Sequence, residues 1–303
     1  LNWKKLLPML AASAAAALLL LRPQKAASAV RAGLALCAGT VVPSLFPFFA
    51  AISLLLQLGA AEALGRLCAP IMRPLFRMRG VCALPLLAGL LGGYPSGAKT
   101  AASLYAQGRI TRQEAELLLG FCDNCGPAFL LGCVGAGVLG NPDAGLWLYA
   151  VHILSAILAG ILLCRLSGDR GPVLLGSALP AAPVSFPQAL TSSVTGALAS
   201  TLNVCAFVVF FQVLSALPPA PPPPLVLGIL EMVGGVASLT PGPGGFAAAA
   251  AIVGWGGLSV HCQAMSLAAP EGLSFRWHWA GKALQAVLSA LLAAGIQACW
   301  RLW

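Results

Sequence analysis

The sequence predicts an all-α polytopic membrane protein, arranged as an inverted repeat with two re-entrant helical hairpins and two broken transmembrane helices. Three observations carry this prediction. Of the 303 residues, 59% are hydrophobic and only 8% are charged, whereas soluble domains carry roughly 25% charged residues. Apolar runs recur at close to the length needed to cross a bilayer, about 20 residues each, and the chain has room for about seven to nine of them. Several of these runs are interrupted by glycine, proline and charge. Lipid cannot satisfy the backbone groups such breaks free, so they are tolerated only where protein or a cavity surrounds them.

The uninterrupted runs lie at residues 6–21, 33–58, 145–165, 190–217 and 280–300. The first follows Lys4 and Lys5 as a signal peptide would. It is read as a retained helix because no polar mature domain follows, with a cleaved signal as the alternative. The interrupted runs are 81–105, 115–139, 225–250 and 254–269, broken around Gly92-Gly93-Tyr94-Pro95, Gly126-Pro127, Glu231 with Pro241 and Pro243, and Gly256-Gly257. Residues 60–80 set Arg66, Arg73, Arg77 and Arg79 among Leu, Met and Phe, which suits an interfacial helix. Residues 168–187 read as a loop and 218–224 as a stiff polyproline connector.

The net charge of +9 fits a membrane protein better than a nucleic-acid binder, because no basic run is interleaved with aromatics. If 81–105 and 225–250 return to their own sides and Lys4 and Lys5 lie inside, then Arg66, Arg73, Arg77, Arg79, Arg109, Arg112, Arg165, Arg170, Arg276 and Lys282 also fall inside. That bias follows the positive-inside rule, with Arg22, Lys25 and Arg31 as a poorly fitting outer loop. Each half then reads crossing helix, hairpin, broken crossing, crossing helix. The predicted divisions are an N-terminal helix and loop (1–32), a first repeat (33–167), a linker (168–189) and a second, inverted repeat (190–303). Inverted repeats with discontinuous helices are a recurring transporter plan.

The candidate chemistry sits in the breaks. Gly92-Gly-Tyr-Pro-Ser-Gly-Ala-Lys-Thr100 departs from a phosphate-binding loop because Ala98 separates Gly97 from Lys99. It reads instead as a hairpin tip, where glycines admit a ligand, a half-helix N-terminus attracts anions and Lys99 adds a full charge. Phe121-Cys-Asp-Asn-Cys-Gly-Pro-Ala128 offers Asn124 to a polar ligand. Its C-x-x-C lacks a second pair or a nearby histidine pair, so no metal and no cofactor is expected. Most of the ten cysteines sit in apolar runs and no disulfide framework is expected. Glu231 and His261 are candidates for proton coupling, with structural hydrogen bonding as the alternative. His152 reads as structural. No nucleophile–base pair has convincing spacing, so an enzyme is not expected.

Gly92-Gly-Tyr-Pro-Ser-Gly-Ala-Lys, Gln107-Gly-Arg-Ile-Thr, Phe121-Cys-x-Asn-x-Gly-Pro-Ala-Phe129 and Gly256-Gly-Leu-Ser-Val-His-x-Gln263, in that order, resemble the YlbJ (SpoVV) family of sporulation integral membrane proteins, within the wider nucleoside-recognition Gate group. The resemblance covers roughly residues 30–300. Asp123 stands where the family leads one to expect Asn, and Cys125 where Ser or Ala is expected. The resemblance implies transport of dipicolinic acid in an endospore former, in the mother-cell-derived outer forespore membrane. It places substrate-binding candidates at Gly93, Tyr94, Ser96, Gly97, Lys99, Thr100, Asn124, Gly126, Ser259, His261 and Gln263, and coupling candidates at Glu231, Asp123 and His261. The partners implied are a small-molecule anion and the lipid bilayer, without nucleic acid; a homo-oligomer is left open. A nucleoside carrier of the same plan and a non-transporting sporulation scaffold are the alternatives.

Overall fold

The computed structural model describes residues 3–168, 185–218, 220 and 222–299. All regular structure among them is helical. The expected loop at 168–187 lies almost wholly outside the described residues, as do Arg170 and Arg301.

Four helical stretches are long and apolar enough to cross a membrane: Pro142–Leu166, Phe186–Ala216, Pro243–Glu271 and Arg276–Cys299. Three of them match the expected runs at 145–165, 190–217 and 280–300. The first two predicted crossings are organised differently. Helix α1 (Trp3–Leu21) is followed by α2 (Pro23–Leu36), which passes through a π-turn (Cys37–Val41) directly into α3 (Val42–Gln57). Pro43 and Pro47 lie just beyond that turn, where a wider turn accommodates the hydrogen bonds proline cannot make. α4 (Ala60–Phe76) carries Arg66 and Arg73 of the predicted interfacial helix, with Arg77 as its C-cap and Arg79 just beyond. Past a left-handed Arg77, the chain bends by 87° into Gly80–Gly92.

The first interrupted run forms a helix–turn–helix. α5 (Ala83–Gly92) and α6 (Ser96–Ala106) pack on each other across Gly93-Tyr94-Pro95, whose Tyr94–Pro95 bond is cis. The second is also broken where expected. α7 (Arg112–Leu119) opens on a capping box, with Thr111 accepting from the Glu114 amide and Glu114 accepting from the Thr111 amide. Non-helical backbone then runs over residues 120–126, and Pro127 leads into a π-helix (Ala128–Val138). α8 (Pro142–Leu166) begins on an Asn141 cap with Pro142 at its first position.

The second half departs from the predicted layout. After α9 (Phe186–Ala216), two short helices, α10 (Pro224–Leu230) and α11 (Met232–Ala237), meet at Glu231. The expected hairpin at 225–250 and broken crossing at 254–269 do not separate: α12 (Pro243–Trp255) and α13 (Gly257–Ala268) form one span, jointed at a left-handed Gly256. No breaker interrupts Phe246–Val253, so the helix carries on through the expected boundary and is jointed only at Gly256, whose left-handed backbone suits glycine. α14 (Arg276–Cys299) closes the chain.

Two packing groups result. α2 and α3 lie along α9, with Cys37, Leu45 and Phe49 against Ala197, Val204 and Val208. α14 packs against both α12 and α8, and the π-helix packs on α8. The first helix–turn–helix, α4 and α7 share an apolar cluster in which Phe76 and Phe121 stack at 5.0 Å.

Candidate functional site: a cavity where the helix breaks meet

Glycines bring the breaks together. A Cβ on Gly89 or on Gly97 would stand 1.8 or 2.0 Å from the Cys122 carbonyl oxygen. Both arms of the helix–turn–helix are therefore packed directly onto the backbone of the 120–126 break. At the tip, Gly93 touches Gly126, whose own Cβ position is 3.2 Å from the Gly93 Cα.

A cavity of about 190 Å³ opens beside this contact. The tip contributes Gly93 and Tyr94, the break contributes Cys125 and Gly126, and the π-helix contributes Phe129. The α10–α11 junction contributes Glu231 and Met232, α13 contributes Ser259 and Gln263, and the α2–α3–α9 group closes the far wall with Leu45, Phe48 and Val204. The walls are mostly apolar. Gln263 donates to the Ser259 hydroxyl at 3.2 Å. Glu231 is buried and caps α11, accepting from the amides of Val233 at 2.9 Å and Gly234 at 2.6 Å. Among the described residues, no lysine or arginine lines the cavity.

Behind Tyr94 lies a buried polar network. The Tyr94 hydroxyl donates to the Val253 carbonyl at 2.8 Å. It accepts from Lys282 Nζ at 2.9 Å, and that ammonium also donates to the Asp123 carbonyl at 2.9 Å and to Gln285 Oε1 at 2.7 Å. Three acceptors use all three ammonium hydrogens. Gln285 donates onward to Asn124 Oδ1 at 2.9 Å, and Asn124 donates to the Phe121 carbonyl at 2.8 Å. One Asp123 carboxylate oxygen accepts from the Ala98 amide, in the first turn of α6, at 3.4 Å; the other has no hydrogen-bond partner. His152 accepts from the Cys125 amide at 2.9 Å, so it serves the backbone of the break, in keeping with a structural reading.

His261 and His278 form a second buried pair, with Nδ1 of the former 2.8 Å from Nε2 of the latter. His278 Nδ1 donates to the Leu119 carbonyl at 2.9 Å. Its Nε2 is therefore the acceptor for His261, which leaves His261 Nε2 without a partner, between Trp255 and Trp279.

Of the expected substrate-binding residues, the cavity brings together Gly93, Tyr94, Gly126, Ser259 and Gln263, with Glu231 from the coupling set. Gly97, Asn124 and Asp123 sit behind it as packing and support. Ser96 is buried with its hydroxyl unpartnered, close to Gly92. His261 belongs to the histidine pair. Lys99 and Thr100 line a separate cavity of about 180 Å³ with Phe49, Gln57 and Ser103, and Lys99 Nζ lies over the Phe49 ring at 4.3 Å. The sequence reading missed Lys282 and Gln285 as site residues and counted Lys282 on the inner side; Lys282 is fully buried within α14. A signal was present. His278, Lys282, Gln285 and Ser289 recur at helical spacing, and all four are fully buried, which marks one polar stripe facing inward. Among the described residues no group of three or more His, Cys, Asp or Glu side chains is placed to hold a metal ion, and the ten cysteines are free.

The model of the nucleoside-recognition family called Gate matches residues 38–299. The chain belongs to the Gate family. This Gate protein is also 37% identical, over 139 residues, to the sporulation integral membrane protein YlbJ of Bacillus subtilis strain 168. That stretch covers 46% of the chain and 34% of the relative, so the chain spans about a third of the length of the curated protein it matches. The match upholds the resemblance to the YlbJ group. No solved structure matches the Gate protein.

Proposed function

We propose that this Gate protein is a membrane transporter for a small planar organic solute, with the dianion dipicolinate as the candidate substrate during endospore formation. The observation that carries the reading is the cavity on which breaks from both halves of the chain converge. Irregular backbone inside a membrane protein is expected where it lines a binding site.

The inverted-repeat plan belongs to this proposal, with repeats at 33–167 and 190–303 and a re-entrant first helix–turn–helix. It is supported by the pairing of corresponding elements: α2–α3 packs on α9, and α8 packs on α14. Tyr94 and Phe129 offer flat surfaces to a ring, and Gln263 and Ser259 offer hydrogen bonds. A solute so held would cross by alternating access of one repeat against the other, in the outer forespore membrane, as a carrier rather than an enzyme. A nucleoside is the second reading. It is favoured by the wall chemistry, since among the described residues Glu231 lines the cavity and no basic side chain does.

The test is uptake of labelled dipicolinate and of labelled uridine into vesicles containing the purified protein. Uptake of one solute above empty vesicles, reduced at least tenfold by Gln263→Leu, is the expected result. Equal leakage of both solutes with and without protein would remove the transporter reading in favour of a scaffold.

A further inference from the structure

Lys282 is an ammonium group buried at the heart of a membrane protein, and the cavity does not use it for contact. Such a charge is costly unless it is matched, and it marks a functional position by default. Its place couples two things. Tyr94 presents its ring to the cavity and its hydroxyl to Lys282. A solute moving against that ring and a proton leaving that amine therefore act on one side chain.

We propose that Lys282 is the proton carrier of this protein, releasing and rebinding one proton per transport cycle and so coupling solute movement to a proton gradient. The proposal rests on the transporter reading above and adds its driving force. With the proton bound, three N–H bonds draw together the hairpin tip (Tyr94), the break (the Asp123 carbonyl) and α14 (Gln285). After release of the proton to water, the neutral amine keeps two N–H groups and a lone pair. One acceptor loses its donor. The lone pair is met when the Tyr94 hydroxyl turns from the Val253 carbonyl to the amine, which frees the tip from α12. Reprotonation from the opposite side restores the closed arrangement, so one proton crosses per cycle and none is consumed.

The titratable groups around the amine come from five elements. Asp123, Cys122 and Cys125 lie on the break, Tyr94 on the tip, His152 on α8, His261 on α13, and His278 on α14 itself. Asp123 is the one carboxylate among them. It is held at the positive end of α6 by the Ala98 amide, with its second oxygen unpartnered and fully buried. It supplies the counter-charge.

The experiment uses vesicles of the whole protein loaded with a pH-sensitive dye, with dipicolinate and uridine as probes. Solute added to wild type is expected to move protons, and an imposed pH gradient is expected to drive accumulation. Lys282→Arg keeps a cation that cannot deprotonate, and Lys282→Gln removes it. Each is expected to retain measurable solute exchange while losing at least nine-tenths of the proton movement. Solute flux without proton movement in wild type, or proton movement persisting in either variant, would overturn the assignment while leaving the carrier in place. No flux of either solute would strike at the transporter reading itself. If neither Lys282 variant folds, Tyr94→Phe decides. Removing one acceptor of the ammonium is expected to move the pH midpoint of uptake down, and an unchanged midpoint overturns the proposal.

Discussion

Gln285 joins two buried groups, accepting one of the three Lys282 hydrogens and donating to Asn124 Oδ1. Gln285→Leu leaves one ammonium hydrogen of Lys282 and the Asn124 Oδ1 without a partner, at a cost of about 1–3 kcal/mol. The measurement is thermal unfolding in detergent, and a midpoint equal to wild type would contradict the network. At the rim of the molecule, Glu114 is hydrogen-bonded to Arg79 Nε at 2.9 Å as well as to the Thr111 amide. Burial raises its affinity for a proton, but the bonds from Arg79 and Thr111 outweigh burial and hold the carboxyl below its ordinary range. A depressed carboxylate contributes stability above its unfolded pKa and loses it as pH falls through the folded value. Arg79→Ala is expected to flatten the acid limb of the stability–pH curve, and an unaltered limb would mean the pair contributes nothing. Both features were half legible. The Thr111-x-x-Glu114 spacing is a capping signature in plain sequence, but its arginine partner lies 35 residues away from the glutamate, and proximity of that kind is a product of the fold.

At the scale of elements, the breaks were readable because glycine, proline and buried charge inside apolar runs have few physical explanations. The first helix–turn–helix and the interruption at 120–126 follow the sequence closely. The second half did not, because α12 runs unbroken through residues 250–254, where the hairpin was expected to end and the broken crossing to begin; the joint at Gly256 lies where a break was expected. The contact of α6 with the break makes a sharp prediction. Gly97→Ala puts a methyl 2.0 Å from the Cys122 carbonyl oxygen, a backbone atom that cannot rotate away. Overpacking of this kind costs about 1–3 kcal/mol. Reduced yield and a lower unfolding temperature are expected, whereas Gly132→Ala, which meets nothing within 4 Å, should be silent. Equal behaviour of the two variants would show that the arms are not seated on the break.

For the whole molecule, composition alone placed the chain in a membrane, and the charge count gave a working topology. The count erred at Lys282 because the positive-inside rule assumes that a lysine near a helix end faces water, and His278, Lys282, Gln285 and Ser289 turn inward instead. Lys99, expected at the heart of the site, lines a neighbouring cavity between α3 and α6. The central claim is that a solute occupies the space between the breaks, and an intrinsic reporter sits there. Cys133 lines the cavity and is exposed, while Cys299, also exposed, lies at the end of α14 away from it. Thiol modification of the native protein, followed peptide by peptide by mass spectrometry, reads both residues in one experiment. Saturating dipicolinate or uridine is expected to slow modification of Cys133 several-fold and leave Cys299 unchanged. Modification of Cys133 at the same rate with and without either solute would contradict the account.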